Sequence, residues 1–415
     1  MFKMPSLPVL ALMAAVALLG GASTACGADA PESASEDAIT SPTRPSRGGL
    51  PEGVPTGEEA SPVRPPVGSP LPVTPTDRWT WLGPEHFGDQ AKCMDGSTTG
   101  LAINPHPGAT KVLLYMQGGA ACFDGQTCAI AEGVLGADHA NEKDFATWTQ
   151  RQGDANVFNR GRADNPFRDY TFVMLPYCSG DVFAGDNSAG YEGRPQHGYR
   201  NVSAYLTRLA PTLRDMKAVV LSGMSAGGYG AVYNFVQVQN AFPRVDVTLI
   251  NDSGPIFATK YTTPCLQQKF KTTWGLERTL PLTGPFVIGY DKSGVAGNGL
   301  VELFQAFLDR YPKSKFAFLS SEADLAMRYF HGIGHTRDCA LPGLLSASFF
   351  AEALRDARTV KNRNFSTFYG PGAGHPYLAS DAPMYDTRVD GISIAEWLGK
   401  IVTTGDEPRR VPATF

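Results

Sequence analysis

The residues in this chain best suited to chemistry are Gly223-Met-Ser225-Ala-Gly227. A serine hydroxyl is a poor nucleophile until a base takes its proton and its oxygen stands clear of the backbone. Small residues on either side of Ser225 permit a tight, strained strand-to-helix turn, which does the second job. The same turn aims the N–H of Ala226, near a helix N-terminus, at the place where negative charge develops on an attacked carbonyl. Taken alone, such a pentapeptide is equally an ordinary glycine-rich turn. An apolar strand before it and a Gly-Gly helix start after it favour the nucleophile.

The base for such a serine is a histidine, and the chain has 7. His86, His106, His139 and His197 precede Ser225, whereas a hydrolase of this architecture runs Ser, acid, His. His331 and His335, in His-Gly-Ile-Gly-His, read as surface or capping histidines. As a metal pair they lack carboxylate or cysteine company at ligand spacing. His375 ends the glycine-rich run Gly370-Pro-Gly-Ala-Gly-His375, just past the last strand, where this order of residues needs its base. A neutral imidazole, with an ordinary pKa of ~6.5, suits proton transfer near neutral pH. Two aspartates compete for the acid. Asp324 ends the loop after the fifth strand and is preferred; Asp252 follows the strand before it and is the alternative. Either is also readable as a helix cap or turn residue. Gly118-Gly119-Ala120, after the first strand, can supply further oxyanion donors through the N–H groups of Gly119 and Ala120, because glycines let backbone approach a substrate closely.

These loops need a scaffold that brings them to one edge. Apolar runs at Lys111–Met116, Tyr170–Leu175, Ala218–Leu221, Val245–Ile250, Lys315–Leu319 and Phe365–Tyr369 read as strands. Helical patterns fall at Val202–Arg214, Gly228–Ala241, Leu300–Tyr311, Ala347–Arg358 and Ser393–Val402. Near-continuous apolar strands spaced by helices predict an α/β fold, a mostly parallel sheet with helices on both faces. In such folds chemistry gathers at the carboxyl ends of the strands.

The catalytic domain is expected at residues 78–415. Residues 1–25 have the layout of a signal peptide: Lys3, the apolar run Leu7–Ala22, then Ser23-Thr24-Ala25. Cys26 next to a small residue resembles a lipid-attachment site, so the exported chain is either anchored through that lipid or cleaved and released. Residues 26–77 are Pro-rich and nearly without aromatics, which predicts a disordered, semi-extended tether. A net charge of −4 argues against nucleic acid as a partner. An oxidising compartment favours disulfides, and Cys26 aside, the other 6 of the 7 cysteines allow fifteen pairings. Cys122 and Cys128 are close enough in sequence to close a small loop beside the oxyanion donors.

Several blocks, in order, resemble the pectin acetylesterase and Notum carboxylesterase family. They are Ala91-Lys-Cys93-Met-Asp-Gly-Ser97, Gly118-Gly-Ala-Ala-Cys122-Phe-Asp124 with Cys128, Asn165-Pro through Tyr177-Cys178-Ser-Gly-Asp181, the Ser225 elbow, and Asn251-Asp-Ser-Gly254. The resemblance implies an α/β-hydrolase fold with Ser225 as nucleophile, His375 as base, an aspartate acid, and an oxyanion hole from Gly119, Ala120 and Ala226. It also suggests Cys93 with Cys178, leaving Cys265 with Cys339, and no metal or organic cofactor. Two departures stand out. Family members carry a tryptophan where this chain has Ala120, so the wall around the ester is expected to be open unless another side chain moves in. An ungapped match to the family's Phe-Asp-Glu-Ala-Gln puts Ser321 at the acid, and a three-residue shift restores Asp324. The expected activity is that of an exported serine carboxylesterase acting on acetyl or other short acyl esters, with acylated carbohydrate as partner. Rival readings are a lipase or polyester depolymerase, and a catalytically inactive surface-binding protein.

Overall fold

Both faces of the central strands are buried, and this is why their sequences are largely apolar instead of alternating. Every residue of Leu101–Asn104, Thr171–Leu175, Phe316–Ser321 and Phe365–Gly370 is buried, as a sheet covered on two sides requires. The structure is a computed structural model that describes residues 68–279, 299–335, 339, 343–360, 362–403 and 410–414. The expected leader, Cys26 and most of the expected tether therefore lie outside the described residues.

Among the described residues one sheet has nine strands: β1 (Thr80–Leu82), β2 (Leu101–Asn104), β3 (Lys111–Met116), β4 (Thr171–Leu175), β5 (Ala218–Met224), β6 (Thr248–Asp252), β7 (Phe316–Ser321), β8 (Phe365–Gly370) and β11 (Arg410–Val411). Between the last two, β9 (Arg388–Val389) and β10 (Ile392–Ser393) form a separate hairpin. The sheet order is β1-β2-β4-β3-β5-β6-β7-β8-β11. Strand β2 runs antiparallel to both β1 and β4, and the remaining neighbours are parallel. The register aligns Met116 with Gly223, Met224 with Asp252 and Ser321 with Gly370. The loops that follow β3, β5, β6, β7 and β8 consequently leave one edge together.

The longer helices are α1 (Glu142–Gln152), α2 (Gly198–Thr212), α3 (Ala226–Ala241), α4 (Pro264–Trp274), α5 (Leu300–Arg310), α6 (Leu325–Gly332), α7 (Ala347–Ala357) and α8 (Ile394–Thr403). Three differences from the sequence reading have local causes. The strand expected from Val245 begins at Thr248, because Gln239 on α3 takes the backbone first. Its amide donates to the Val245 carbonyl (2.8 Å) and accepts from the Val247 N–H (3.0 Å). Helix α2 starts at Gly198 instead of Val202, since the buried Asp181 carboxylate accepts the Gly198 N–H (2.6 Å) and so holds the first turn. Strands β1 and β2 have only 3 and 4 residues, too few for a periodic signal. Residues 68–77, the described end of the Pro-rich stretch, lie against α2. There the Gly68 N–H meets the Thr207 carbonyl (2.9 Å), and the buried Leu71 donates its N–H to the Thr212 hydroxyl (2.7 Å).

Three disulfides cross-link the domain: Cys93–Cys178, Cys122–Cys128 and Cys265–Cys339. The first spans 85 residues and the second only 6. In a chain-entropy account the long bridge contributes about 4.6 kcal/mol and the short one about 2 kcal/mol. We predict that Cys93→Ser/Cys178→Ser lowers the guanidinium unfolding midpoint clearly more than Cys122→Ser/Cys128→Ser, with the larger rise in slope as the unfolded chain loses its longer cross-link. Equal losses in the two double mutants would contradict this ranking.

Candidate active site

The β5–α3 turn puts Ser225 in a conformation that few residues adopt. Its φ is 56° and its ψ −120°, a strained position that costs on the order of 1–3 kcal/mol and survives only when surroundings enforce it. They do so here. The Ser225 N–H donates to the Asp252 carbonyl (2.7 Å), and the Ser225 carbonyl accepts from Tyr229 N–H (3.2 Å). The flanking glycines are required by packing: a Cβ on Gly223 would collide with the Gly227 carbonyl, and one on Gly227 with the Met116 carbonyl. Ser225 keeps 9% of its surface accessible.

Opposite this turn, the loop after β3 is held by its own contacts. A side chain at Gly119 would strike the Tyr177 ring, so only glycine fits there. Downstream, the Cys122 N–H donates to the Gly180 carbonyl (2.7 Å). The Cys122 carbonyl accepts from Gln196 Nε2 (2.8 Å) and Trp274 Nε1 (2.9 Å). Among the described residues the N–H groups of Gly119, Ala120 and Ala226 enter no hydrogen bond, and all three residues line the cavity that Ser225 also lines.

His375 Nδ1 lies 2.7 Å from Asp324 Oδ2. Asp324 is completely buried, and the His375 side chain is 15% exposed. The aspartate caps α6 at the same time, since its Oδ1 accepts the Met327 N–H (3.0 Å). The cap reading and the acid reading thus hold together, one for each oxygen. Burial by itself would lower the pKa of His375. The charge of Asp324, its hydrogen bond and the more distant charge of Asp252 outweigh burial and raise it above 6.5. Asp252 is placed differently. Its carboxylate accepts the Leu378 N–H (2.6 Å) and the Ser253 hydroxyl (2.9 Å). Burial pushes its pKa up to about 6, against the pull of those bonds. Ser321, the other position matched to the family's acid, donates its hydroxyl to the Gly374 carbonyl (2.6 Å) and bonds the Tyr377 hydroxyl (3.0 Å), on either side of His375.

A largely apolar cavity of about 120 Å³ adjoins Ser225. In the aromatic group on its wall, Phe270 stacks on Trp274 at 4.5 Å, and Phe123 meets Phe270 at 5.0 Å. These rings share the lining with Ala120 and Ala121, so the wall expected to be open carries a tryptophan supplied from α4. The reading of His331 as a surface or capping residue is overturned. It is buried, lines the cavity, and bonds Tyr229 Oη (2.7 Å) and Thr262 Oγ1 (3.3 Å). It sits on the inward side of α6, a side that a short Gly-rich sequence does not reveal. His335 is exposed and bonds the Tyr261 carbonyl (3.2 Å). No group of three or more metal-ligating side chains occurs among the described residues. Tyr229, His331, Thr262, Gln267 and Trp274 were missing from the sequence-based site. The one sequence signal was Tyr229, a helical turn after Ser225.

A mostly parallel sheet with a serine at a strand-to-helix elbow and an Asp–His pair on the loops after β7 and β8 has the layout of the α/β-hydrolase fold. Residues 84–280 match the family model described as Pectinacetylesterase. The chain is also 27% identical over 169 residues to the palmitoleoyl-protein carboxylesterase notum2 of Xenopus laevis, covering 39% of this chain and 34% of that protein. With the human palmitoleoyl-protein carboxylesterase NOTUM it shares 25% identity over 174 residues, 39% of this chain and 34% of the relative. The inactive palmitoleoyl-protein carboxylesterase notum1b of Danio rerio is 24% identical over 106 residues, 24% of this chain and 73% of that protein. These matches place residues 84–280 in the pectinacetylesterase and Notum carboxylesterase family. The matched stretch spans about a third of the first two relatives. It contains Ser225 and Asp252 and ends before Asp324 and His375.

The two aspartates make opposite predictions. Asp324→Asn removes the charge facing His375 and should lower kcat on the order of 10⁴-fold. Asp252→Asn should mainly lower the melting temperature. A catalytic base works as neutral imidazole, so with His375 in that role its raised pKa places the acid limb of kcat/KM above pH 6.5. Asp324→Asn should move that limb to lower pH in the residual activity, since the imidazolium loses its partner. A limb that stays in place would exclude Asp324 as the partner that sets it.

Proposed function

We propose that the chain is a serine carboxylesterase in which Ser225, His375 and Asp324 act as a triad. The observation that carries this reading is the 2.7 Å Asp324–His375 pair on loops that leave the same sheet edge as the Ser225 elbow. In the proposed reaction His375 takes the Ser225 proton as the oxygen attacks an ester carbonyl. Backbone N–H groups of Gly119, Ala120 and Ala226 hold the tetrahedral oxyanion. The alcohol leaves with the proton from His375. Water, deprotonated by the same histidine, then releases the acid and restores Ser225.

The cavity supports an acyl group longer than acetyl. A cavity needs only ~10–15 Å³ of such volume per water molecule, so about 120 Å³ greatly exceeds what one methyl group fills. Its wall of Phe123, Phe257, Leu266, Phe270, Trp274 and Met327 suits a hydrocarbon chain. The relatives named as palmitoleoyl-protein carboxylesterases support the same reading. The alternative, an acetyl ester on carbohydrate, is favoured by the pectinacetylesterase match. Three disulfides and the leader-like residues 1–25 support export, with Cys26 as a lipid anchor or as part of a released chain. No helix among the described residues is long and apolar enough to cross a membrane.

Ser225→Ala and His375→Ala should each reduce kcat by several orders of magnitude, and the double mutant should be little worse than either. Near-normal turnover in either single mutant would remove the assignment. Across acetyl, butyryl and octanoyl p-nitrophenyl esters, kcat/KM should rise with acyl length. A maximum at acetyl would instead favour the carbohydrate acetyl ester.

A further inference from the structure

The loop after β3, which carries the N–H groups of Gly119 and Ala120, is supported from behind by a buried tyrosine. Gly118 packs against Met224, the residue before Ser225, and Gly119 packs against the ring of Tyr177. Three hydrogen bonds join this loop to the segment after β4. The Gln117 N–H donates to the Leu175 carbonyl (3.0 Å), and Gln117 Oε1 accepts the Tyr177 N–H (3.2 Å). On the other side the Cys122 N–H donates to the Gly180 carbonyl (2.7 Å). Gly119 and Ala120 lie between these fastenings, so the direction of their N–H groups depends on what the backbone there rests on. At Gly119 it rests chiefly on the Tyr177 ring, with the Ala137 methyl farther off.

The ring is fixed in turn by a strained segment. Val182 has a φ of 49° and Phe183 a φ of 60°, two successive side-chain-bearing residues in the left-handed region, where a β-branched valine is rare. Such a conformation survives only where its surroundings enforce it. The buried Asp181 carboxylate does so by accepting four hydrogens. Its Oδ1 accepts from the Ser179 hydroxyl (2.6 Å) and the Phe183 N–H (3.1 Å). Its Oδ2 accepts from the N–H groups of Gly185 (3.1 Å) and Gly198 (2.6 Å). With the segment held in this way, the Val182 N–H meets the Tyr177 hydroxyl and donates to it at 2.8 Å. The Phe183 ring packs on the Tyr177 ring at 5.0 Å.

We infer that Tyr177 is a positioning residue for the oxyanion hole, anchored at its hydroxyl by Val182 and seating Gly119 with its ring. The inference rests on the reading of Ser225 as an esterase nucleophile. Tyr177 acts through Gly119 and touches no substrate. Oxyanion donors work by standing ready where charge develops, without reorganising at the moment of reaction. A tilt of the loop therefore costs rate while leaving ester binding largely intact.

The test compares p-nitrophenyl butyrate with its thiono analogue, which has sulfur in place of the carbonyl oxygen. Sulfur is a weak hydrogen-bond acceptor, so thionoester turnover gains less from the donors. Removing a whole oxyanion donor costs about 10²–10³-fold in kcat, and misdirecting one costs less. Tyr177→Phe keeps the ring and removes the anchor. It should lower kcat for the ester about tenfold with KM nearly unchanged. Thionoester turnover should fall much less, so the ester-to-thionoester ratio of kcat/KM drops. Asp181→Asn, which loosens the Val182 segment and leaves Tyr177 in place, should lower the same ratio. A general loss of structure would reduce both substrates alike, and the melting temperature shows whether each variant folds. If one variant does not fold, the other decides. An unchanged ratio overturns the inference while the esterase reading stands. Absence of turnover by the wild-type protein removes the esterase reading, and this inference with it.

Discussion

Asp252 ties the strained serine turn to the loop that carries His375. Its backbone carbonyl accepts the Ser225 N–H at 2.7 Å, and its carboxylate accepts the Leu378 N–H at 2.6 Å. One buried residue thereby holds both the Ser225 turn and the segment that follows His375, though it makes no hydrogen bond to the imidazole. Burying a carboxylate is costly unless its oxygens are paired. Here the pairing partners are the parts that need holding, so the cost and the positioning have the same origin. Close packing completes the arrangement, because Gly228 lies against the Asp252 carbonyl with no room for a side chain.

Asp324 couples two other parts in the same way. One oxygen caps α6 through Met327, and the other faces His375. At its far end α6 carries His331, which bonds Tyr229 on the serine helix α3. Helix α6 thus meets His375 at its first turn through Asp324, and meets the helix that follows Ser225 at its last turn through a neutral histidine in the cavity wall. Ser321 adds a third constraint by holding the Gly374 carbonyl and the Tyr377 hydroxyl around His375. Dense second contacts of this kind hold a reactive geometry ready before substrate arrives.

The loop after β3 is held in a different way. The Cys122–Cys128 bridge closes it, and Trp274 reaches across from α4 to bond the Cys122 carbonyl. The same Trp274 stacks on Phe270 to form the cavity wall. Trp274 therefore contributes both to the loop's position and to the cavity wall.

How much of this was legible in the sequence follows from the range of each interaction. The elbow at Ser225, the Gly118-Gly119 loop and the position of His375 after a strand are local patterns, written within a few residues. The buried strands were equally legible, since burial on both faces leaves long apolar runs. The choice between Asp324 and Asp252 was not. Both are aspartates just past or at the end of a parallel strand, and only the packing of β7 beside β8 brings Asp324 to His375. His331 could not be placed either, because its partners Tyr229 and Thr262 lie 102 and 69 residues away in sequence. Sequence by itself determined which residues have the chemistry and which strands bury both faces, because those properties depend on side-chain type and short-range spacing. Tertiary structure alone decided which carboxylate meets the imidazole and what lines the cavity, because those are contacts between segments that only folding brings together.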